Sequence, residues 1–274
     1  MRLLVITGQN GNYETLRLLG KDGHMNYHIC RDTAGNWHIL AIATDTTQNA
    51  VVDRVEYLLR QLAEKSEKYE QEHAEQTGSD RRVHYDWLFP QVIDRLTLHE
   101  QNNRKVIVLS FLDANLQKSF ALMQITERKQ RVDLKSSAWM MGRLLKLLAF
   151  LYESNVMAPI LTSNFLLEPD NHRLLMLNWT TATLGDVPTP AQQGFVIKQA
   201  AECILLLLGA EYYDGAWHYQ YPLEEGEMQY IKCLQSLHRG DYTDALQAHA
   251  AFYETVDSLW GKKFHPFTTY SISD

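Results

Sequence analysis

The sequence predicts an α+β protein of two lobes: a five-stranded antiparallel sheet carrying one helix, followed by a mainly helical part. Three observations predict it. Strand-like segments fill most of residues 1–111, with β-branched and aromatic residues between turn signals. One long amphipathic helix interrupts them. From residue 112 to 274 the apolar residues fall at helical spacing, apart from one hairpin. The boundary is expected near residues 111–115, within one continuous domain. Two-lobed proteins commonly bind ligands between their lobes.

The opening "MRLLVITGQNG" reads as a strand, and is too short in its apolar run and lacks a small-residue cleavage site for an export signal. "YETLRLLG", "NYHICRD" and "NWHILAIATD", broken at "KDGHM" and "TAGN", read as a three-stranded meander. In "VVDRVEYLLRQLAEKSEKYEQEHAEQ", Val52, Val55, Leu58, Leu59 and Leu62 recur at helical spacing. Beyond Leu62 the pattern becomes charged, so this helix is expected to run out into solvent and to stop at "TGSDRR". "VIDRLTLHE" and "KVIVLSFLD", joined by "QNNR", read as a hairpin. Then "LQKSFALMQITER" and "KSSAWMMGRLLKLLAFLYESN" read as helices, the second apolar on most sides and therefore buried. A strand pair follows, turned at "EPDNHR". "QQGFVIKQAAECILLLLGAEYY" and two further helices complete the chain, with an aromatic tail at "KKFHPFTTY".

Composition is ordinary for a soluble globular protein: 274 residues, 45% hydrophobic and 22% charged. The formal charge of −7 gives no general attraction to nucleic acid or anionic lipid. The run "ERKQRVDLK" at 127–135 is expected to be a solvated face. No stretch is long and apolar enough to span a bilayer. Cys30, Cys203 and Cys233 are odd in number and widely separated, so reduced thiols in a cytoplasmic protein are expected. His24 and His28 lie in an apparent strand–loop region, and no Cys/His spacing suggests a metal site.

The order of elements resembles the protein-kinase fold over nearly the whole chain, and several anchor positions carry the resemblance. "LLGKDGHMNYHIC" lies where kinases have the glycine-rich loop, whose glycines let backbone amides approach phosphates. Gly20 matches the first glycine and Gly23 stays near the turn, whereas Asp22 and Met25 occupy the other two places. A simple hairpin turn explains "KDG" equally well. "LAIA" (40–43) matches V-A-I-K, with Ala43 where the phosphate-pairing Lys belongs. Glu56 matches the acid that pairs with that Lys. With its partner gone, it is expected on a solvated helix face. Ser110, Phe111 and Leu112 match the hinge, and "WMMGRLLKLLAFLYESNV" matches the long helix before the catalytic loop.

In the catalytic loop, H-R-D-x-x-x-x-N becomes "MAPILTSN": Met157, Ala158 and Pro159 replace His, Arg and the base Asp, and Asn164 keeps the metal-holding Asn. A proline cannot accept a proton. D-F-G becomes "NWT", where Asn178 is a far weaker ligand for the hard Mg²⁺ than a carboxylate, and Trp179 is expected to pack as core. The activation segment "TTATLGDVPTPAQQG" is short and lacks A-P-E, with Thr189 and Pro190 near where a substrate-docking loop would end. The C-terminal residues from "DALQAHAAF" onward look similar to the tail of certain bacterial kinase-like proteins.

Phosphoryl transfer needs a cation on the phosphates, metal ions and an oriented nucleophile. The resemblance therefore implies a pseudokinase with no catalytic residue, no cofactor and no metal. It would be a protein-interaction or allosteric scaffold in an intracellular signalling or defence assembly. Its partner would be a kinase, a phosphatase or another component. Candidate surfaces are residues 64–76, or the tail around Trp260, Phe264 and Phe267. Two other readings stay open. One is a kinase-fold enzyme of altered nucleotide chemistry using Asp113, Asp170 or Asp186. The other is a small-molecule sensor, its ligand held between the lobes. An α+β protein whose strand order merely parallels a kinase lobe fits the residues too.

Overall fold

The computed structural model describes residues 5–77, 85, 87–219, 225–261 and 263–272. Contacts divide the chain into two compact units, Met1–Ala121 with Leu175–Ala182, and Leu122–Leu174 with Thr183–Asp274. The division falls later than residues 111–115, and the first unit takes in a short segment that a linear reading assigns to the helical part.

In the first unit, β1 (Val5–Thr7), β2 (Asn12–Lys21), β3 (Met25–Asp32) and β4 (Trp37–Ala43) precede helix α1 (Asn49–Thr77). β5 (Gln91–Leu98), β6 (Arg104–Ser110) and the short β7 (Phe120–Ala121) follow. β1 to β6 form one antiparallel sheet in the order β1-β2-β3-β4-β6-β5. The meander and the hairpin are as the sequence predicts. Counting β1, the sheet has six strands where five were expected. The β5–β6 link holds Asn102 and Asn103 at φ 58 and 63, a left-handed conformation that asparagine tolerates.

The central strands β4 and β6 are buried almost throughout, so both faces of the sheet contribute core. Tyr13, Cys30, Leu40, Ile42, Val106 and Val108 cluster on one face of the sheet. α1 lies against β4, β5 and β6, and its Val52, Val55, Leu58, Leu59 and Leu62 are all buried, as their spacing requires. The helix does not leave the protein surface directly beyond Leu62. Ser66 is buried, and Tyr69 packs edge-on against Tyr85 at 5.2 Å. Most of "TGSDRR" lies outside the described residues.

Asp94 fixes the edge strand. Its carboxylate accepts from the Gln9 and Asn10 amides at 3.2 and 2.9 Å and from the Tyr13 hydroxyl at 3.0 Å. The chain passes so close that a Cβ on Gly8 would stand 2.2 Å from Asp94 Oδ2. Neither residue carries a signal in the sequence.

The second unit begins with α2 (Gln124–Glu127) and β8 (Gln130–Val132). A helix over 116–128 was expected, but only these four residues are helical. Upstream, the Lys118 amide closes a turn onto the Asn115 carbonyl at 3.1 Å and the Leu122 amide donates to the Phe165 carbonyl at 2.9 Å, so no helical ladder forms. The 127–135 run is only partly solvated: Gln130–Val132 pairs with the C-terminal β15 (Thr269–Ser271), and Asp133 caps the next helix. That helix, α3 (Leu134–Glu153), is buried on most sides.

After it come β9 (Val156–Met157), β10 (Phe165–Glu168) and β11 (Arg173–Met176), the last two around the turn at 169–172. Then come β12 (Thr183–Leu184), α4 (Pro190–Leu207), β13 (Ala210–Tyr213) and β14 (Ala216–Tyr219). α5 (Glu225–Arg239) and α6 (Ala245–Trp260) precede β15. α3 lies against α4 and α6, and α5 against both of these. The expected helix through "GAEYY" stops at Leu207. Gly209 at φ 75 ends it, and Asp214 and Gly215 at φ 51 and 77 turn a hairpin instead. The tail, named from the sequence as a candidate surface, packs back: Trp260 at the end of α6 lies against Tyr230 at 5.2 Å, and Phe264 beyond it stacks on His172 at 4.4 Å.

Candidate functional site

The β2–β3 turn, where the glycine-rich loop was expected, is organised by Asp22. One carboxylate oxygen accepts from the His24 and Met25 amides at 2.6 and 2.7 Å, which closes the turn on itself. The other accepts from the Tyr27 hydroxyl at 3.2 Å and the Thr180 hydroxyl at 3.1 Å. Gly20 and Gly23 are not at positive φ, and a Cβ on either would meet nothing within 4 Å. The turn therefore depends on its aspartate, not on its glycines.

Asn178 shares those two hydroxyls. Its amide oxygen accepts from the Thr180 amide at 3.0 Å, from the Thr180 hydroxyl at 2.7 Å and from the Tyr27 hydroxyl at 3.3 Å. The backbone donor fixes which way the amide faces. Each hydroxyl has one proton, so the four O–H contacts are two protons distributed over two acceptors. The shorter Thr180–Asn178 contact leaves Tyr27 to serve Asp22. Tyr27 is buried. That burial, and then the Asp22 charge, push its pKa well above the ordinary phenol value, so it acts as a donor. Arg54 from α1 donates to the Thr180 carbonyl. Trp179 is core, as expected. It is buried against Phe89 at 6.3 Å, and its indole N–H reaches the Met176 carbonyl at 2.9 Å.

Ala43 is fully buried on β4, paired with Met25, and its carbonyl accepts from Arg104 at 2.6 Å. Glu56 corrects the expectation of a solvated residue. It is 8% exposed and held by Arg60, one turn on, at 3.1 Å and by Arg95 of β5 at 3.4 Å. Arginines from its own helix and from the sheet occupy the carboxylate. Ser110 ends β6 opposite Gln91, Phe111 is buried and Leu112 is exposed.

In the second unit, Asn164 is buried and turns its amide onto the Pro159 carbonyl at 2.9 Å, bracing its own loop. Ala158 is buried, and Met157 pairs with Thr183. Thr189 and Pro190 start α4: Thr189 forms a reciprocal cap with Gln192, and Pro190 fills the first helical position. Asp170 and Asp186 are exposed here, as is Asp113, at φ 53, in the first unit. His24 bonds Gln48 at 2.7 Å, and burial lowers the pKa of His28. Among the described residues no cluster of His, Cys, Asp and Glu could hold a metal, and no helix is long and apolar enough to cross a membrane.

The sequence reading singled out Asn178 and Ala43, but not Tyr27, Thr180, Arg54 or the hydrogen bonds of Asp22. The partners stand up to 158 positions apart, and no local pattern marks such a contact.

No protein-family model matches the chain, and no curated protein matches it in sequence. Solved structures do match. A structure of vaccinia related kinase 3 is similar with a TM-score of 0.62 at 12% identity, covering 94% of this chain and 93% of that one. The Mycobacterium tuberculosis PknI kinase domain is similar with a TM-score of 0.50 at 15% identity, covering 93% of this chain and all of that one. The chain has a protein-kinase-like fold, with its antiparallel sheet in the N-terminal part and its helices in the C-terminal part.

Proposed function

We propose that the protein is a pseudokinase: a kinase-like fold that does not transfer phosphoryl groups and serves as a protein-interaction or allosteric scaffold in an intracellular signalling or defence assembly. The observation that carries the reading is the clamp of Asp22, Tyr27, Asn178 and Thr180. The turn that would lie over nucleotide phosphates holds a carboxylate, and the residue in the metal-binding place spends its one acceptor oxygen on the Thr180 amide and hydroxyl, with the Tyr27 hydroxyl beside it. A carboxylate there repels phosphate, and an engaged amide is a poor Mg²⁺ ligand. Ala43 supplies no cation, Pro159 supplies no base, and Glu56 is committed to arginines.

Interaction with a protein partner, a kinase, a phosphatase or another component, then becomes the use of the fold, because a partner can select one arrangement of a two-state element. The exposed Glu67, Lys68, Gln71 and Glu72 on α1 are one surface available for it.

The test is phosphoryl transfer from γ-labelled ATP, with Mg²⁺ or Mn²⁺, to the protein itself and to generic protein acceptors. The reading requires no labelling above that of a heat-inactivated control. Labelling that disappears on Asp186→Ala or Asn164→Ala would replace it with an enzyme of altered chemistry.

A further inference from the structure

A basic pocket of about 470 Å³ opens in the second unit between α3, α6 and the segment after α6. Arg143 and Lys146, three positions apart and therefore on one face of α3, both line it. Among the described residues neither is within ion-pair distance of a carboxylate. The charges facing Arg143 are instead Arg173 and Lys146, with the Tyr253 hydroxyl as its favourable neighbour. Lys135 and Lys263 add to the positive lining, against one acid, Asp257, among the described lining residues. A half-buried guanidinium stays charged and is costly without a counter-charge. Burial, and then the neighbouring cations, lower the pKa of both Arg143 and Lys146, the direction that crowded positive charge imposes.

The pocket is also aromatic. Trp139, His172 and Phe264 form a parallel stack with ring centroids 4.6 and 4.4 Å apart and planes within 5°. Trp139 Nε1, His172 Nε2 and His249 Nε2 are buried without hydrogen-bond partners among the described residues. Burial pushes the pKa of His249 down to about 4, so its ring is neutral near pH 7.

We propose that this pocket binds a small phosphate monoester of an aromatic or heteroaromatic compound. Its phosphate would lie against Arg143 and Lys146 and its ring against the aromatic wall. A phosphate monoester carries close to two negative charges at neutral pH, which matches a pair of uncompensated cations better than a carboxylate does. The volume lies in the range of small-molecule sites. This site belongs to the second unit alone, so it stands or falls apart from the clamp in the first.

The test uses the full chain and phenyl phosphate as the probe, followed by titration calorimetry and tryptophan fluorescence. Phenol and inorganic phosphate serve as the half-ligands. The proposal expects saturable binding of phenyl phosphate, weaker binding of either half-ligand, and a loss of about tenfold or more in Arg143→Gln and in Lys146→Gln. Gly142 gives an independent variant. It lines the pocket in mid-helix, and a Cβ there meets no atom within 4 Å, so Gly142→Phe places a ring in the open space. That variant should keep its helical circular dichroism and melting temperature and lose the binding. No saturable binding at millimolar phenyl phosphate would overturn the proposal. So would binding that Gly142→Phe and Arg143→Gln leave unchanged. Inorganic phosphate binding as tightly as phenyl phosphate would overturn the recognition of the ring.

Discussion

Tyr27 and Asn178 are 151 positions apart in the chain, yet the tyrosine hydroxyl reaches the asparagine amide oxygen at 3.3 Å while also serving Asp22 at 3.2 Å. The contact ties the β2–β3 turn to the segment Leu175–Ala182 inside one compact unit. The two oxygens it bridges lie at positions that the sequence resemblance matches to the phosphate loop and the metal-holding residue of kinases. In this chain they are partners of the protein's own hydroxyls.

The clamp should behave as one network. Tyr27→Phe and Thr180→Val are each expected to cost about 1–2 kcal/mol, because each leaves Asp22 or Asn178 short of a donor. The double variant should cost less than the two added together, since the hydroxyls share acceptors. Urea denaturation of the four proteins of the cycle measures this. Strict additivity would mean that the two hydroxyls act independently.

Restoring kinase-like residues should not restore a nucleotide site. Ala43→Lys puts an ammonium at a fully buried position and is expected to destabilise the fold by at least about 2 kcal/mol. Asn178→Asp adds a second carboxylate beside Asp22. Like charge raises the pKa of such a pair, so this variant should lose stability as pH rises through that raised pKa. Denaturation at pH 4 and pH 7 compares the variants directly. A variant that gains stability with ATP would contradict the prediction.

Gly8→Ala should destabilise the edge of the sheet by about 1–3 kcal/mol, since its Cβ would stand 2.2 Å from Asp94 Oδ2. Gly23→Ala should be close to neutral, because its Cβ meets nothing and its φ is not positive. Thermal melts of the two variants give the contrast. Equal losses would remove the role assigned to Asp94.

His249 predicts a pH dependence. Burial first, and then Lys146, hold its folded pKa at about 4, below its ordinary value of 6.5. The unfolded chain therefore binds the proton more readily, so stability should rise with pH between about 4 and 6.5 and be lost as pH falls. Burial lowers His28, His172 and His238 in the same direction. His249→Leu should flatten part of the slope. An unchanged slope would count against the burial assigned to this ring.

Much of the fold was legible because periodicity records burial. Val52, Val55, Leu58, Leu59 and Leu62 mark the packed face of α1, and β-branched and aromatic residues between turn signals mark the strands of the sheet. The helix expected over 116–128 failed because apolar residues in a turn-rich segment mimic helical spacing, while the backbone bonds that decide the matter run to Asn115 and Phe165. "GAEYY" reads as helix because an apolar helix runs into it, although Gly209 and the Asp214–Gly215 pair are turn signals in the sequence. In the candidate site, Ala43 and Asn178 could be named from the sequence by the family resemblance alone. The hydroxyls that close the clamp could not, because Tyr27 and Thr180 meet Asn178 and Asp22 through tertiary contact. Glu56 was misread for the same reason: its second arginine comes from β5.

The most direct test of the account is calorimetric titration of the purified protein with ATP, with and without Mg²⁺. The account predicts no saturable heat at millimolar nucleotide, and no dependence on the metal. Clear binding that strengthens with Mg²⁺ would contradict it, and would mean that the clamp of Asp22 and Asn178 opens to receive the phosphates.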